Sequence, residues 1–385
     1  MPEKNQPKIA IVTDWLTTYG GAEKVVLAVS EIFPDAPIFT SQYSEKEVKW
    51  FEDKDIRTGW VNFFSPRLRK FLGVFRAIYF SRLDLSEYDV VISICCAESK
   101  AIKTRNDQLH VSYLQGPPTQ YYWAMFDDYV KNPGFGKLNF LVRFFFKLLV
   151  KPLRNLDYKF AQRPDFLVAN STYSQDEIAK YYGRESQIIF PPVDAEKFEI
   201  SSETGDYFIS TSRQVNWKRL DLAVEVFKKN GVKLKLVGTG AEHEKLKNLA
   251  ENSPNIEFIS PIHDTEKLSQ IVAEAHGFVF PSLEPFGIAP IEALSAGVPV
   301  VAFSQGGARD YIIEGKNGVF FDEQTVESLE EAIKKFEKIN FDKKEISKTA
   351  KKFSEDNFKK YFAEFVNGKI SEKLSPEGQN DDIRH

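Results

Sequence analysis

GFVFPSLEPFGIAPIEALSAGVPVVAFSQGG, from Gly277 to Gly307, sets an apolar strand, an interrupted loop, a helix and a second apolar run in succession. Gly277 to Phe280 and Val298 to Ala302 are short unbroken apolar runs, as expected of parallel strands covered on both faces. Between them, Pro290 suits the first helical position, because the N–H it lacks would be unsatisfied there anyway. The backbone donors of Phe286, Gly287 and Ile288 then fall at a helix N-terminus, a place to hold a phosphate. Glu284 lies in the loop and Glu292, eight residues on, in the helix's first turn. An anion-binding helix start flanked by two acids able to grip hydroxyls describes a pocket for a sugar nucleotide. Each piece also has an ordinary explanation: acid in a first turn is favoured by the helix dipole alone, and Gly297 to Phe303 is a common helix-to-strand connection.

Working outward, the same alternation recurs in two series. Ile9 to Val12 is a buried-strand run, followed by Asp14, Gly20-Gly21 and a helical pattern from Ala22 to Ile32. Val90 to Cys95, Val111 to Leu114, Phe166 to Ala169 and Gln187 to Phe190 continue the first series. The second holds strands at Tyr207 to Thr211, Lys233 to Val237, Ile256 to Ile259 and Gly277 to Phe280, with helices from Leu220, Glu242 and Thr265. Strands alternating with helices argue for doubly wound α/β sheets. The expected domains are residues 1–196 and 206–352, then a C-terminal helix at 353–370 returning to the first domain and a disordered tail at 371–385. Ligands in such sheets bind beyond the carboxyl ends of the strands.

A chain of 385 residues suits about two domains. Its 42% hydrophobic and 28% charged residues are ordinary for a globular protein, and a net charge of -4 gives no global reason to expect nucleic acid. The two cysteines, Cys95 and Cys96, are neighbours in a strand and so point to opposite faces, which favours buried free thiols over a disulfide or metal site. The residues before Ile9 are polar, Ile9 to Val12 is too short for a signal peptide, and no apolar stretch approaches the ~20 residues of a membrane span. A cytoplasmic protein is expected.

Ser212 to Arg219, SRQVNWKR, follows the first strand of the second series and precedes its helix. There Arg213 and Lys218 would neutralise a diphosphate, one through its planar fork and the other as a point charge. Alone, the segment reads equally as a solvated loop. The order strand, Arg-x4-Lys, helix, then Glu-x7-Glu starting 66 positions past Lys218 resembles the retaining GT-B glycosyltransferases of family four. The resemblance covers nearly the whole chain. Gly20-Gly21-Ala22-Glu23 looks like the family's N-terminal glycine loop. Asn170-Ser171, Pro191-Pro192-Val193-Asp194 and the run from Gly318 to Ile333 are similar to the GDP-mannose-dependent mannosyltransferases of O-antigen and related polysaccharide assembly.

That resemblance implies two Rossmann-like domains facing across a cleft, and a retaining, metal-independent hexosyltransferase with no cofactor. Its substrate is a nucleotide sugar, GDP-mannose favoured, and its acceptor a glycan or lipid-linked molecule of cell-surface polysaccharide synthesis. Arg213 and Lys218 would support the leaving diphosphate, Glu284 the donor-sugar hydroxyls and Glu292 the ribose. The amides of Phe286, Gly287 and Ile288 would meet sugar and phosphate, while Gly20 and Gly21 let the backbone approach. One departure stands out: Gln115 occupies the place of the branch's His in Tyr113 to Gln120. Gln can hydrogen-bond a sugar hydroxyl but cannot titrate. His110 is expected at the start of its strand rather than as a replacement.

Other signals are weaker. Gly238-Thr239-Gly240 has two glycines of a dinucleotide fingerprint but lacks the third. Asp53-Lys54-Asp55 and Asp127-Asp128 read as solvated surface, so no metal site is expected. Two segments interleave bases with large apolar residues: Phe63, Phe64, Phe71, Phe75 and Phe80 with Arg67, Arg69, Lys70, Arg76 and Arg82; and Phe140, Phe144, Phe145, Phe146, Leu148 and Leu149 with Lys137, Arg143, Lys147, Lys151, Arg154, Lys159 and Arg163, against the single acid Asp157. This is the composition of an interfacial segment, so docking at the inner face of an anionic membrane is expected; the competing reading is that the Phe residues are core. Three other functions remain. A glycoside hydrolase would need its two carboxyls about 5–5.5 Å apart; a nucleotide-sugar epimerase needs no acceptor; a non-catalytic sugar-nucleotide binding protein turns nothing over.

Overall fold

The computed structural model describes residues 7–18, 20–116, 122–131, 136 and 139–373, apart from the side chains of Arg67, Lys70, Asp128 and Tyr129. Pro117 to Gln120, Lys137 and residues 374–385 of the expected tail thus lie outside the described residues. The chain divides into two compact units, residues 1–192 with 358–385, and residues 193–357.

In the first unit, strands β1 (Ile9–Thr13), β2 (Ile38–Thr40), β3 (Ile56–Thr58), β4 (Val90–Cys95), β5 (Leu109–Leu114), β6 (Phe166–Ala169) and β7 (Gln187–Ile188) form a parallel sheet in the order 3-2-1-4-5-6-7. Helices α1 (Gly21–Ile32), α2 (Gly73–Arg82), α3 (Phe126–Lys131), α4 (Asn139–Ala161) and α5 (Thr172–Tyr182) are interleaved with them. Alternate residues serve opposite faces. Ile11, Ile92, Ile94 and Val111 pack with Val25 and Val29 of α1, whereas Ala10, Val12 and Val91 pack with Phe80 of α2 and Phe160 of α4. Both faces are therefore covered, which is why β4 and β5 are buried along their whole length. β2 and β3 have three residues each, too few for an apolar run to stand out.

His110 sits second in β5, fully buried, with Nε2 2.9 Å from Ser93 Oγ. Burial pushes its pKa down from 6.5 to about 4, so the imidazole is neutral at physiological pH. Cys95 is buried as expected, but Cys96 is exposed, because β4 ends at Cys95 and Cys96 opens the following loop.

The second unit repeats the plan. Strands β8 (Tyr207–Thr211), β9 (Lys233–Val237), β10 (Ile256–Ile259), β11 (Gly277–Phe280), β12 (Val300–Phe303) and β13 (Gly318–Phe321) form a parallel sheet in the order 10-9-8-11-12-13. Its helices are α6 (Leu220–Asn230), α7 (His243–Ala250), α8 (Thr265–Ala273), α9 (Ile288–Ser295), α10 (Val326–Phe336) and α11 (Lys343–Ala350). Asp264, Thr325 and Asp342 accept N–H bonds at the starts of α8, α10 and α11, each cap being worth about 1 kcal/mol. Gly238 and Gly240 serve packing: a Cβ on them would stand 2.1 Å from the Ser212 carbonyl oxygen and 2.3 Å from that of Gln214.

Each sheet grows in one direction from its first strand and then resumes on that strand's other side. The strand order therefore reverses between β1 and β4, and again between β8 and β11, which makes the carboxyl ends of those pairs the natural ligand positions. A last helix, α12 (Glu355–Lys373), starts in the second unit and sends Phe358, Phe362 and Val366 into the first unit's core. Ser371 to Lys373, expected in the tail, are its final residues.

Candidate active site

The carboxyl end of β8 runs into a loop pinned at its middle. Gln214 is fully buried, donates through Nε2 to the Gly238 carbonyl at 2.9 Å, and holds Oε1 2.6 Å from Nδ1 of His243. On either side of this anchor stand the two expected cations: Arg213 is exposed, whereas Lys218 ends a short 3-10 turn with its side chain 15% exposed. Arg219 takes a left-handed conformation (φ 50°), which turns the chain into α6, and pairs with Asp221 at 3.2 Å.

The carboxyl end of β11 carries the facing loop, and its backbone is clamped. Gly307 N–H donates to the Glu284 carbonyl at 2.9 Å, Tyr311 OH to the Phe286 carbonyl at 3.0 Å, and Gln324 Nε2 to the Pro281 carbonyl at 2.7 Å. Gly287 has φ 92°, and a Cβ there would lie 2.7 Å from the Phe280 ring, so glycine is required on both counts.

These two loops bring Lys218 Nζ into direct contact with Glu284 Oε1, and Ser282 Oγ donates to the same oxygen at 2.8 Å. Two residues 66 positions apart in sequence thus form a largely buried ion pair at the reversal point of the second sheet. Ser282 was not among the sequence candidates; its only signal is its place two residues before Glu284.

The helix that follows corrects one expectation. α9 begins at Ile288 with Gly287 as its cap, so Pro290 is the third helical residue and Glu292 falls in the second turn. Proline is tolerated there because the N–H groups of the whole first turn lack intrahelical partners. Gly287 and Ile288 still stand at the helix start, with Phe286 just before it.

In the first unit, Gly20 caps α1 and Gly21 is its first residue; a Cβ on Gly20 would stand 3.0 Å from a Glu23 carboxylate oxygen. Gln115, just past β5, donates through Nε2 to the Ala22 carbonyl at 3.0 Å, so these three candidates gather at one helix start. Beside them stands Asp14, whose part in the fold no motif or spacing indicates. Its carboxylate accepts four backbone N–H bonds, from Cys96 at 2.6 Å, Ala97 at 2.8 Å, Glu98 at 2.7 Å and Ser99 at 2.7 Å.

The basic and aromatic segments divide. Phe63, Phe71, Phe75, Phe140, Phe144, Phe145, Leu148 and Leu149 are exposed, Phe63 at 91% and Phe140 at 66%. Phe80 and Arg76, expected in the interfacial set, are core instead: Phe80 packs between sheet and helices, and Arg76 Nε bonds Glu98 at 2.7 Å. Arg154 is likewise engaged, 5.0 Å from the rings of Trp123 and Phe126. Asp157 is buried, 2.8 Å from Lys100 Nζ. Among the described residues, no helix is long and apolar enough to cross a membrane.

Comparison with known proteins bears on the second unit most directly, since residues 193–353 match the family model of the glycosyl transferases group 1. The chain is 27% identical over 271 residues to a poly(glycerol-phosphate) alpha-glucosyltransferase of Bacillus subtilis; the match takes in 67% of this chain, which spans little more than a third (37%) of that relative's length. It is 22% identical over 371 residues to the mouse alpha-1,3/1,6-mannosyltransferase ALG2, covering 82% of this chain and 84% of the relative. Among solved structures, Anabaena HepE in complex with UDP superimposes with a TM-score of 0.67 at 18% identity, over 94% of this chain and all of that one. The chain thus has the GT-B glycosyltransferase fold, and its second unit carries the sequence pattern of the group 1 glycosyl transferases.

Proposed function

We propose that the protein is a retaining glycosyltransferase that moves a hexose, mannose from GDP-mannose by the resemblance, onto a glycan or lipid-linked acceptor in cell-surface polysaccharide synthesis. One observation carries this reading. At the reversal point of the unit that matches the group 1 model, a cation and an acid from different loops meet side by side. Arg213 and Lys218 neutralise the leaving diphosphate, whose charge grows as the glycosidic bond breaks. Glu284 holds donor-sugar hydroxyls and Glu292 the ribose, while Phe286, Gly287 and Ile288 offer backbone amides. Gly20, Gly21 and Gln115 are donor contacts on the resemblance alone. As the leaving oxygen departs from the anomeric carbon it takes the acceptor hydroxyl's proton, and the acceptor oxygen bonds on the same face. The two cations supply the positive charge, so transfer needs no metal.

A thermal-shift screen against GDP-mannose, UDP-glucose and other nucleotide sugars identifies the donor, since a ligand at 100 times its Kd adds about 2.7 kcal/mol. UDP-hexoses belong in it because the Anabaena protein binds UDP. Nucleotide release is then measured with and without acceptor, in EDTA. Release that ignores the acceptor, or that stops on chelation and returns with Mg²⁺, overturns the corresponding part of the proposal.

The acceptor side is proposed to dock peripherally on an anionic bilayer at the cytoplasmic face. The support is α4, whose exposed Phe140, Phe144, Phe145, Leu148 and Leu149 are interspersed with exposed Arg143, Lys147 and Lys151. Each cation near such a surface is worth about 1 kcal/mol. Binding to anionic vesicles should exceed binding to neutral ones and fall when these three bases are replaced by Glu; equal binding to both lipids counts against it.

A further inference from the structure

We infer that Glu284 discriminates an intact nucleotide sugar from the free nucleoside diphosphate, by holding Lys218 whenever no sugar is present. This rests on the site proposed above and adds to it a means of product release. The Lys218 ammonium and the Glu284 carboxylate are in contact, and both side chains are more than four-fifths buried. The backbone beneath Glu284 has no freedom to retreat. Besides the bond from Gly307, a Cβ on Gly306 would stand 2.5 Å from the Glu284 carbonyl oxygen, and one on Gly307 2.4 Å from Phe286 Cα. Ligand binding is therefore answered by the side chains.

A nucleotide sugar satisfies both partners at once. Its diphosphate takes the ammonium, and its hydroxyls donate to the carboxylate that the ammonium leaves. A nucleoside diphosphate satisfies only Lys218. It strips the carboxylate of its cation, gives it no hydroxyl, and sets a second anion beside it in a partly desolvated site, where like charges repel more strongly than in water. An ammonium has three donors and could touch both anions, but with no sugar between them the repulsion stays. Once transfer has removed the sugar, Glu284 competes with the product for Lys218.

Isothermal titration with GDP, UDP, GDP-mannose and UDP-glucose tests this on wild type and Glu284→Gln, which keeps shape and removes charge. The diphosphate that binds wild type should bind the variant ~5-fold more tightly, while its sugar derivative binds no better, so that their affinity ratio falls by about fivefold or more. Ser282→Ala removes the hydroxyl donating to the same oxygen and leaves a stripped Glu284 carboxylate with one donor fewer, so it should weaken diphosphate binding and move the ratio the opposite way by less; it serves should Glu284→Gln not fold. In Glu284→Gln, diphosphate affinity that is unchanged or falls, or both affinities changing by one factor, overturns the inference and leaves the site standing, as does tighter diphosphate binding in Ser282→Ala. If none of the four ligands binds wild type, the proposed site falls and the inference with it.

Discussion

The two units place the same topological feature, the reversal of strand order, at β1/β4 and at β8/β11, and furnish it oppositely. In the first, the four N–H groups of residues 96–99 converge as they would on a phosphate, but Asp14 of the protein itself already fills the place. In the second, the polar groups at the reversal are side chains, Lys218 and Glu284, that pair with each other. One position is closed by a carboxylate of the chain itself, held by four backbone N–H bonds; the other is closed by an ion pair between two side chains. Two sheets of one design are thus furnished differently, one with a buried scaffold contact and one with the proposed nucleotide site.

The largest expected effect is to break the closed position. Asp14→Ala leaves four converging donors without their acceptor, three of them buried, and should cost about 3–5 kcal/mol in chemical denaturation, with sulfate or phosphate restoring part of it by entering the vacated place. An anion that stabilises wild type as much as the variant would show that the position was never closed. At the other reversal, Lys218→Ala should lower kcat about 100-fold while donor affinity falls less, because charge on the diphosphate peaks in the transition state; steady-state kinetics beside direct titration separates the two.

The units should also respond differently to acid. His110 is neutral in the fold with its pKa near 4, against 6.5 for the free group. As pH falls, the unfolded chain takes up the proton first, so stability present above pH 6.5 is lost progressively down to 4. Between pH 7 and 5 the loss should be about 2 kcal/mol. His243, His263 and His276 of the second unit are all at least partly exposed, so hydrogen exchange should show the first sheet loosening first, and His110→Gln should flatten the trend. The smallest effect expected is at Glu292, one turn deeper into α9 than its neighbours at the helix start: Glu292→Ala should weaken donor binding by about tenfold with little change in kcat.

Much of this was legible in the sequence, for identifiable reasons. Gly277 to Phe280 and Val90 to Cys95 are apolar runs long enough to read as buried strands, and they frame both reversals. β2 and β3 escaped notice because three residues carry no periodicity. Arg213, Lys218 and Glu284 could be placed at strand ends, yet the Lys218–Glu284 contact depends on how two loops meet, which spacing does not record. The four bonds to Asp14 cross more than 80 residues. In the basic and aromatic segments composition could not sort inside from outside: Phe80 and Phe75 are five positions apart, one in the core and one 44% exposed.

The path of α12 sets the order in which the protein can be finished on a ribosome. Tyr113 of β5 packs edge-on against Phe358 and Phe362, at 5.9 and 6.0 Å between ring centres. The first unit's strands emerge early, but the helix covering that face of the sheet is translated only after the entire second unit. The later unit can therefore fold while the earlier one still waits without the α12 rings that pack on Tyr113. Translation that stops at Asn357 should yield a native second unit tethered to an unfinished first one, a species for chaperones to shield.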